Sequence, residues 1–203
     1  MKILVACEES QTVCNAMRLR GHEAYSCDIQ ECSGGHPEWH ILSDVIPLLN
    51  GHCNFTTMDS QLHNIPDNWD LIIAHPPCTY LSKAGACNMY VNGHLDLDRY
   101  SKAMAAKDFF LKILNADCPR IAVENPVPMA MIGLPHCSQS IQPYEFGHPY
   151  SKRTLLWLKG LPPLFATDLV PFYQSYTATV RGSKLRSKTF HGIAAAMADQ
   201  WAG

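Results

Sequence analysis

Short apolar runs along this chain alternate with longer stretches of mixed polarity. Residues 2–6, with Ile3, Leu4, Val5 and Ala6, read as a first buried strand. Ser10 is placed to cap a helix running to about Arg20, which Gly21 ends. Residues 23–27 read as a second strand, ending at Asp28. Strand, helix, strand, acid is the opening of a nucleotide-binding α/β unit. The next clear strand is the apolar run from Leu71 to Ala74, stopped by Pro76 and Pro77, which cannot continue a ladder.

The intervening residues 29–68 carry weaker signals. Gly34, Gly35 and Pro37 mark a loop, and 41–50 leaves room for a short helix after Asp44. Residues 79–95 are polar and contain glycine, and read as a long loop. A loop of that length beside reactive groups predicts a lid rather than a linker. A helix is predicted over 96–115, a strand over 120–124 cut off by Asn125-Pro126, a strand over 154–158 and a terminal helix over 190–201. The proline-rich 160–164 reads as an ordered turn. No internal repeat or domain linker interrupts the chain, so 1–203 is read as one domain.

Composition narrows the classes. With 203 residues and 47% hydrophobic content, one substantial core is expected. The net charge of −2 excludes a strongly basic nucleic-acid coat. Any such contact must come from a local patch, a small footprint or a partner. The first apolar run is too short for a secretory signal and is followed by Glu8 and Glu9. No run approaches the roughly 18 apolar residues of a membrane span. The nine cysteines are then expected to be reduced thiols of a cytoplasmic protein.

The chemistry gathers at two strand ends. Cys78 follows the stiff Pro76-Pro77 turn, and Glu124 precedes Asn125-Pro126. In a parallel α/β sheet ligands bind beyond the carboxyl ends of strands, so neighbouring strands would bring sulfur and carboxylate to one pocket. A thiolate beside a carboxyl group that can hydrogen-bond a substrate ring suits covalent catalysis. Singly, Cys78 reads as well as an inert buried thiol, and Glu124 reads more readily as a cap or ion-pair partner. A Pro-Cys loop points to sulfur attack on a ring carbon, where an Asp/Asn-Pro-Pro-Tyr loop would point to methylation of an exocyclic amine. Cys27, Cys32, His36 and His40 are zinc-ligand types, but their spacing matches no common zinc motif, and no metal is expected. His75 reads as a pocket-lining or structural histidine.

Pro77-Cys78 with Tyr80 and Ser82, followed by Glu124-Asn125-Pro126, resembles the DNA cytosine-C5 methyltransferases. The similarity is closer to the short phage-type members that lack a full target-recognition domain, and it covers nearly the whole chain. It implies a Rossmann-like S-adenosylmethionine-dependent methyltransferase fold, a mostly parallel sheet flanked by helices. Asp28, followed by Ile29, matches the acid that binds the cofactor ribose. Asp44-Val45 matches the adenine-contacting motif. Residues 190–198, with Ile193, resemble the C-terminal motif that folds back onto the cofactor site. Cys78 and Glu124 would be catalytic, with Ser82 and Asn125 at the substrate.

The chain departs from the family pattern at three places. The glycine-rich first loop is replaced by residues 5–11, without a glycine. Glu8, or Ser10 at a helix N-terminus, is then the group to reach the methionine ammonium or carboxylate, unless Glu8-Glu9 is an ordinary acidic first turn. The Gln-x-Arg-x-Arg motif corresponds to 150–154, where Lys152 or Arg153 would contact the base or a phosphate, or else be solvated charges. Only 159–189 stands in place of a recognition domain. Its Arg181, Lys184, Arg186 and Lys188 form either a phosphate-contacting loop or a basic surface loop.

Methyl transfer from S-adenosylmethionine to C5 of cytosine, with relaxed sequence specificity, is the activity this resemblance implies. The partner is DNA, as duplex with base flipping or as a single strand, with specificity supplied by a protein partner if at all. The location would be the cytoplasm, that of a bacterial host if phage-encoded. Two alternatives remain open: modification of a free pyrimidine nucleotide or short single strand, and a non-catalytic binding protein that keeps the fold.

Overall fold

The computed structural model describes the backbone of residues 1–203 and the side chains of all but residues 183 and 184. Its centre is a seven-stranded sheet: β1 (Lys2–Ala6), β2 (Glu23–Asp28), β3 (His40–Leu42), β4 (Leu71–Ala74), β5 (Ile121–Pro126), β6 (Gln139–Ile141) and β7 (Thr154–Lys159). The spatial order is β3-β2-β1-β4-β5-β7-β6. Pairing is parallel from β3 through β5, and β7 is antiparallel to both neighbours. The architecture is thus the mostly parallel, helix-flanked α/β sheet that the resemblance implies.

The apolar runs form central strands because both faces of the sheet are covered. Along β1, Leu4 and Ala6 pack into one core layer and Ile3 and Val5 into the other. Ile72 and Ala74 of β4 face the first layer, Leu71 and Ile73 the second. Helix α2 (Leu97–Leu114) covers the first layer with Ala103, Phe110 and Ile113. Helices α1 (Thr12–Leu19) and α3 (His191–Trp201) cover the second, through Val13, Met17, Met197 and Trp201 among others. Gly192 permits this docking of α3. A Cβ there would collide with the Phe146 carbonyl oxygen, and the Gly192 amide donates to His148 Nε2 at 2.9 Å.

The chain runs outward from β1 to β3, then returns to β4 on the other side of β1. That reversal opens a crevice at the carboxyl ends of β1 and β4. Register sets its contents. Ala6 is level with Ala74, and Ala74 with Val123. The residues just beyond them, Cys7, His75 and Glu124, therefore emerge side by side.

Several local expectations are corrected. Ser10 does not cap α1; its hydroxyl lies 3.1 Å from Thr12 Oγ1. The amides of Val13 and Cys14 are instead taken by the Glu8 carboxylate, at 2.6 and 3.1 Å. Residues 29–68 hold β3 and a hairpin of Cys53–Thr56 with Leu62–Ile65. Residues 79–95 are not an irregular loop. They form a 3-10 segment, Lys83–Met89, and a small hairpin, Tyr90–Val91 with His94–Leu95. Leu81 and Met89 are fully buried, so both ends of the 3-10 segment are anchored in the core. The ordered turn at 160–164 holds: Leu164 is buried and bonded through its backbone to the Gln139 side chain.

Candidate active site at the carboxyl edge of the sheet

The turn that carries Cys78 is fastened on both sides. Before it, the Pro76 carbonyl accepts from Asn125 Nδ2 at 3.0 Å. At it, the Cys78 carbonyl accepts from the Leu81 and Ser82 amides at 3.1 and 2.9 Å. After it, the Lys83 amide donates to Val127 and the Met129 amide to Leu81, each at 2.8 Å. The segment leaving β5 therefore positions the thiol. Cys78 itself is partly exposed and lines a cleft of about 440 Å³.

Glu124 sits one strand away, 14% exposed, with Oε2 at 2.8 Å from His75 Nδ1. Burial works to raise its carboxyl, but the hydrogen bond and charge of His75, with help from Lys152, hold it below the ordinary carboxylate range. His75 shows the converse. Burial disfavours its protonation, yet the bond to Glu124 and the charges of Glu124 and Glu8 raise it above its ordinary value. The Cys78 thiol is pushed up by burial first and by the Glu124 charge second, with Lys152 opposing. The pair thus favours an ionised Glu124 and a protonated His75, beside a thiol whose ionisation is disfavoured.

A second cleft, of about 340 Å³, adjoins the first and shares Cys7, Asp28, Ile29 and Pro77 with it. Asp28 and Asp44 line it together with the apolar side chains of Ile29, Val45 and Phe109. Two carboxylates around a mainly apolar cleft suit an adenosine, whose hydroxyls and amine donate and whose ring is flat and apolar. Cys7 takes φ 59°, the left-handed backbone for which glycine is the default residue. The turn of a glycine loop is thus made here without glycine. Both oxygens of Glu8 are engaged by α1, whereas Glu9 Oε2 is buried without a partner and Glu9 lines the Cys78 cleft. An unpartnered carboxylate oxygen there fits a cationic ammonium. On these observations the residues present fit S-adenosylmethionine, with Glu9 rather than Glu8 as the free acid.

The remaining sequence-derived residues are placed as follows. Ser10 lines the Cys78 cleft. Ser82 is buried and bridges Pro128. Asn125 is buried and holds the Pro76 carbonyl, and its Oδ1 has no partner. Lys152 lies close enough to act electrostatically on Glu124 and Cys78, with Nζ donating to the Arg186 carbonyl at 2.7 Å. Arg153 is exposed and reaches Ser140 instead. Ile193 packs in the second core layer with α1 and lines neither cleft. Lys188 lines the Cys78 cleft and donates to Ser33 Oγ at 3.1 Å. Lys184 lies outside the described residues.

Of Cys27, Cys32, His36 and His40, His36 Nδ1 lies 2.9 Å from Glu38 Oε1. Cys27 is fully buried in the first core layer, and His40 bridges Ser26 and the Gln30 carbonyl. Among the described residues no three His, Cys, Asp or Glu side chains are grouped to hold a metal. Sequence reasoning missed the role of His75 as partner of Glu124, and missed Glu9 and Phe109 as cleft residues. The adjacency of Ala74 and Val123 in register is the signal that pairs His75 with Glu124.

No protein-family model matches this chain, and no curated protein does. Among solved structures it is similar to a prophage-encoded protein of E. coli provisionally named as a DNA modification methyltransferase. The TM-score is 0.46 at 12% identity, covering 84% of this chain and 52% of that one. The chain thus spans about half the length of that protein, and no residue role is carried across. Among the described residues no helix is long and apolar enough to cross a membrane.

Proposed function

We propose that this protein transfers a methyl group from S-adenosylmethionine to C5 of cytosine in DNA, with Cys78 as covalent nucleophile and Glu124 as partner of N3. The observation that carries the reading is that β4 and β5 are neighbours, with Glu124 bonded to His75, which together with Cys78 lines a cleft adjoining the Asp28–Asp44 cleft. Asp28 and Asp44 would hold the ribose and adenine, and Glu9 the ammonium. When bound, the cofactor supplies an electrophilic methyl group.

The chain's own groups prepare the base. The Cys78 thiol gives up its proton to water in the open cleft, and the sulfur bonds to C6. The C5–C6 π pair is displaced toward the ring amidine, and N3 takes up a proton by way of Glu124. C5 thereby becomes nucleophilic. Loss of the C5 proton to water later expels the Cys78 thiolate as its bond to C6 breaks, and N3 returns its proton to Glu124. Asn125 and the 127–129 segment keep the sulfur in line with the base rather than free to rotate away.

Single-stranded DNA or a short strand is the favoured form of substrate. Segment 187–189 lines the same cleft as Cys78, and Lys188 reaches across to Ser33, so a duplex must surrender its base fully to enter. Incubation of the purified chain with S-adenosylmethionine and either DNA or deoxycytidine nucleotides, followed by nucleoside mass spectrometry, tests the reading. 5-Methylcytosine in the DNA is expected. Methylation only of free nucleotides would move the substrate class, and no 5-methylcytosine in any form would leave a binding protein.

A further inference from the structure

We infer that His75 holds the proton that Glu124 passes to N3, so that the reacting acid is the His75–Glu124 pair rather than the carboxyl alone. This rests on the cytosine-C5 reading. Three observations carry it. His75 Nδ1 and Glu124 Oε2 lie 2.8 Å apart, with side chains only 10% and 14% exposed. His75 Nε2 is buried without a partner. His75 and Cys78 line the same cleft.

The charges around the imidazole favour its protonated form. Glu124 of β5 and Glu8 of the loop after β1 are the main contributors, and Lys152, before β7, opposes them. Glu9, Lys188 and the Cys78 thiol line the same cleft. A Glu124 held ionised has no proton of its own to give. N3 must nonetheless gain one as sulfur bonds to C6. The proton on His75 Nδ1 moves to Glu124 Oε2 and Glu124 passes it on to N3, leaving His75 neutral and Glu124 again ionised. The net charge of the site is unchanged, since the thiolate charge has been consumed in the S–C6 bond. When Cys78 is expelled, N3 returns the proton along the same route. In this relay His75 acts through Glu124, so it is a positioning residue and proton reserve.

The experiment follows solvent exchange of hydrogen at C5, which reports reversible addition of Cys78 and needs no cofactor. A single-stranded oligonucleotide deuterated at cytosine C5 is incubated with wild type, His75→Gln and His75→Asn across pH. In wild type the rate is expected to rise with the thiolate fraction and to fall once His75 loses its proton, above pH 6.5. Both variants should lose the falling limb and be slower at neutral pH by about 10² or more. A falling limb retained in both variants, or a wild-type rate that climbs to pH 9, overturns the inference. Absence of exchange in wild type overturns the cytosine-C5 reading, and the inference with it; exchange with unaltered profiles in the variants overturns the inference alone. Direct NMR titration of the His75 imidazole in wild type depends on no variant. Titration above its ordinary value supports the inference, and an imidazole already neutral at pH 6 contradicts it.

Discussion

Asn125 Nδ2 donates to the Pro76 carbonyl at 3.0 Å, so the strand end that presents Glu124 also holds the turn that presents Cys78. The amide is 1% exposed and its lost bond would have no water to replace it. Asn125→Ala should cost about 1–3 kcal/mol of stability, the penalty for an unsatisfied buried carbonyl. It should lower the methylation rate more than it weakens cofactor binding. Denaturant titration beside steady-state kinetics checks both. Unchanged rate in a folded variant would mean that the 127–129 segment positions Cys78 unaided.

Glu124→Gln should shift two quantities in opposite senses. Turnover falls, because an amide cannot carry a proton to N3. The Cys78 thiol becomes easier to ionise, because a charge that raises it is removed. Alkylation by iodoacetamide should therefore begin at lower pH in Glu124→Gln than in wild type. Matching alkylation profiles would show that Glu124 does not act on the thiol.

The same pair makes stability depend on pH. Glu124 is held below its ordinary value, so its contribution is present above about 4.5 and is lost as pH falls through its folded value. His75 is raised, so its contribution is complete below about 6.5 and is lost as pH rises through its folded value. The stability difference between wild type and His75→Gln should be greatest between these limits. A difference that does not vary with pH from 4 to 9 would contradict the pairing.

Much of this was legible in the sequence, for physical reasons. Short apolar runs stopped by prolines, such as 71–74, fit strands covered on both faces, and the caps Asp96 and Asn115 bracket α2 where the pattern places them. Cys78 and Glu124 stood out because prolines stop both strands at reactive groups. The hairpin of Cys53–Thr56 and Leu62–Ile65 was not legible, since each strand buries a single residue, Phe55 or Ile65. The Glu8 cap was missed because it reaches forward through a left-handed turn at Gln11, while Ser10 offered the nearer local signal. The His75–Glu124 contact spans 49 positions and exists only through the β4–β5 register.

Asp28 ends β2 at the wall shared by both clefts. Asp28→Ala should weaken S-adenosylmethionine binding by roughly 1–3 kcal/mol, the worth of a charged hydrogen bond to a ribose hydroxyl. Calorimetry measures it. Equal affinity in the variant would place the nucleoside elsewhere.

Specificity should be weak. Arg181, Arg186 and Lys188 of the 159–189 segment can hold phosphates, and phosphate contacts position DNA without reading sequence. Activity should spread over cytosines in many contexts and fall steeply with added salt. Bisulfite mapping of treated DNA checks this; methylation confined to one site of about six base pairs would show that this short segment reads bases directly.

The central claim is that Cys78 bonds to the cytosine ring. A single-stranded oligonucleotide carrying 5-fluorocytosine, incubated with the protein and S-adenosylmethionine, blocks loss of the C5 substituent and so traps the adduct. Mass spectrometry of the digested protein is expected to place one nucleotide on Cys78, and Cys78→Ser is expected to remain free. Methylation of ordinary cytosine without any adduct at Cys78, or undiminished turnover by Cys78→Ser, would contradict the account.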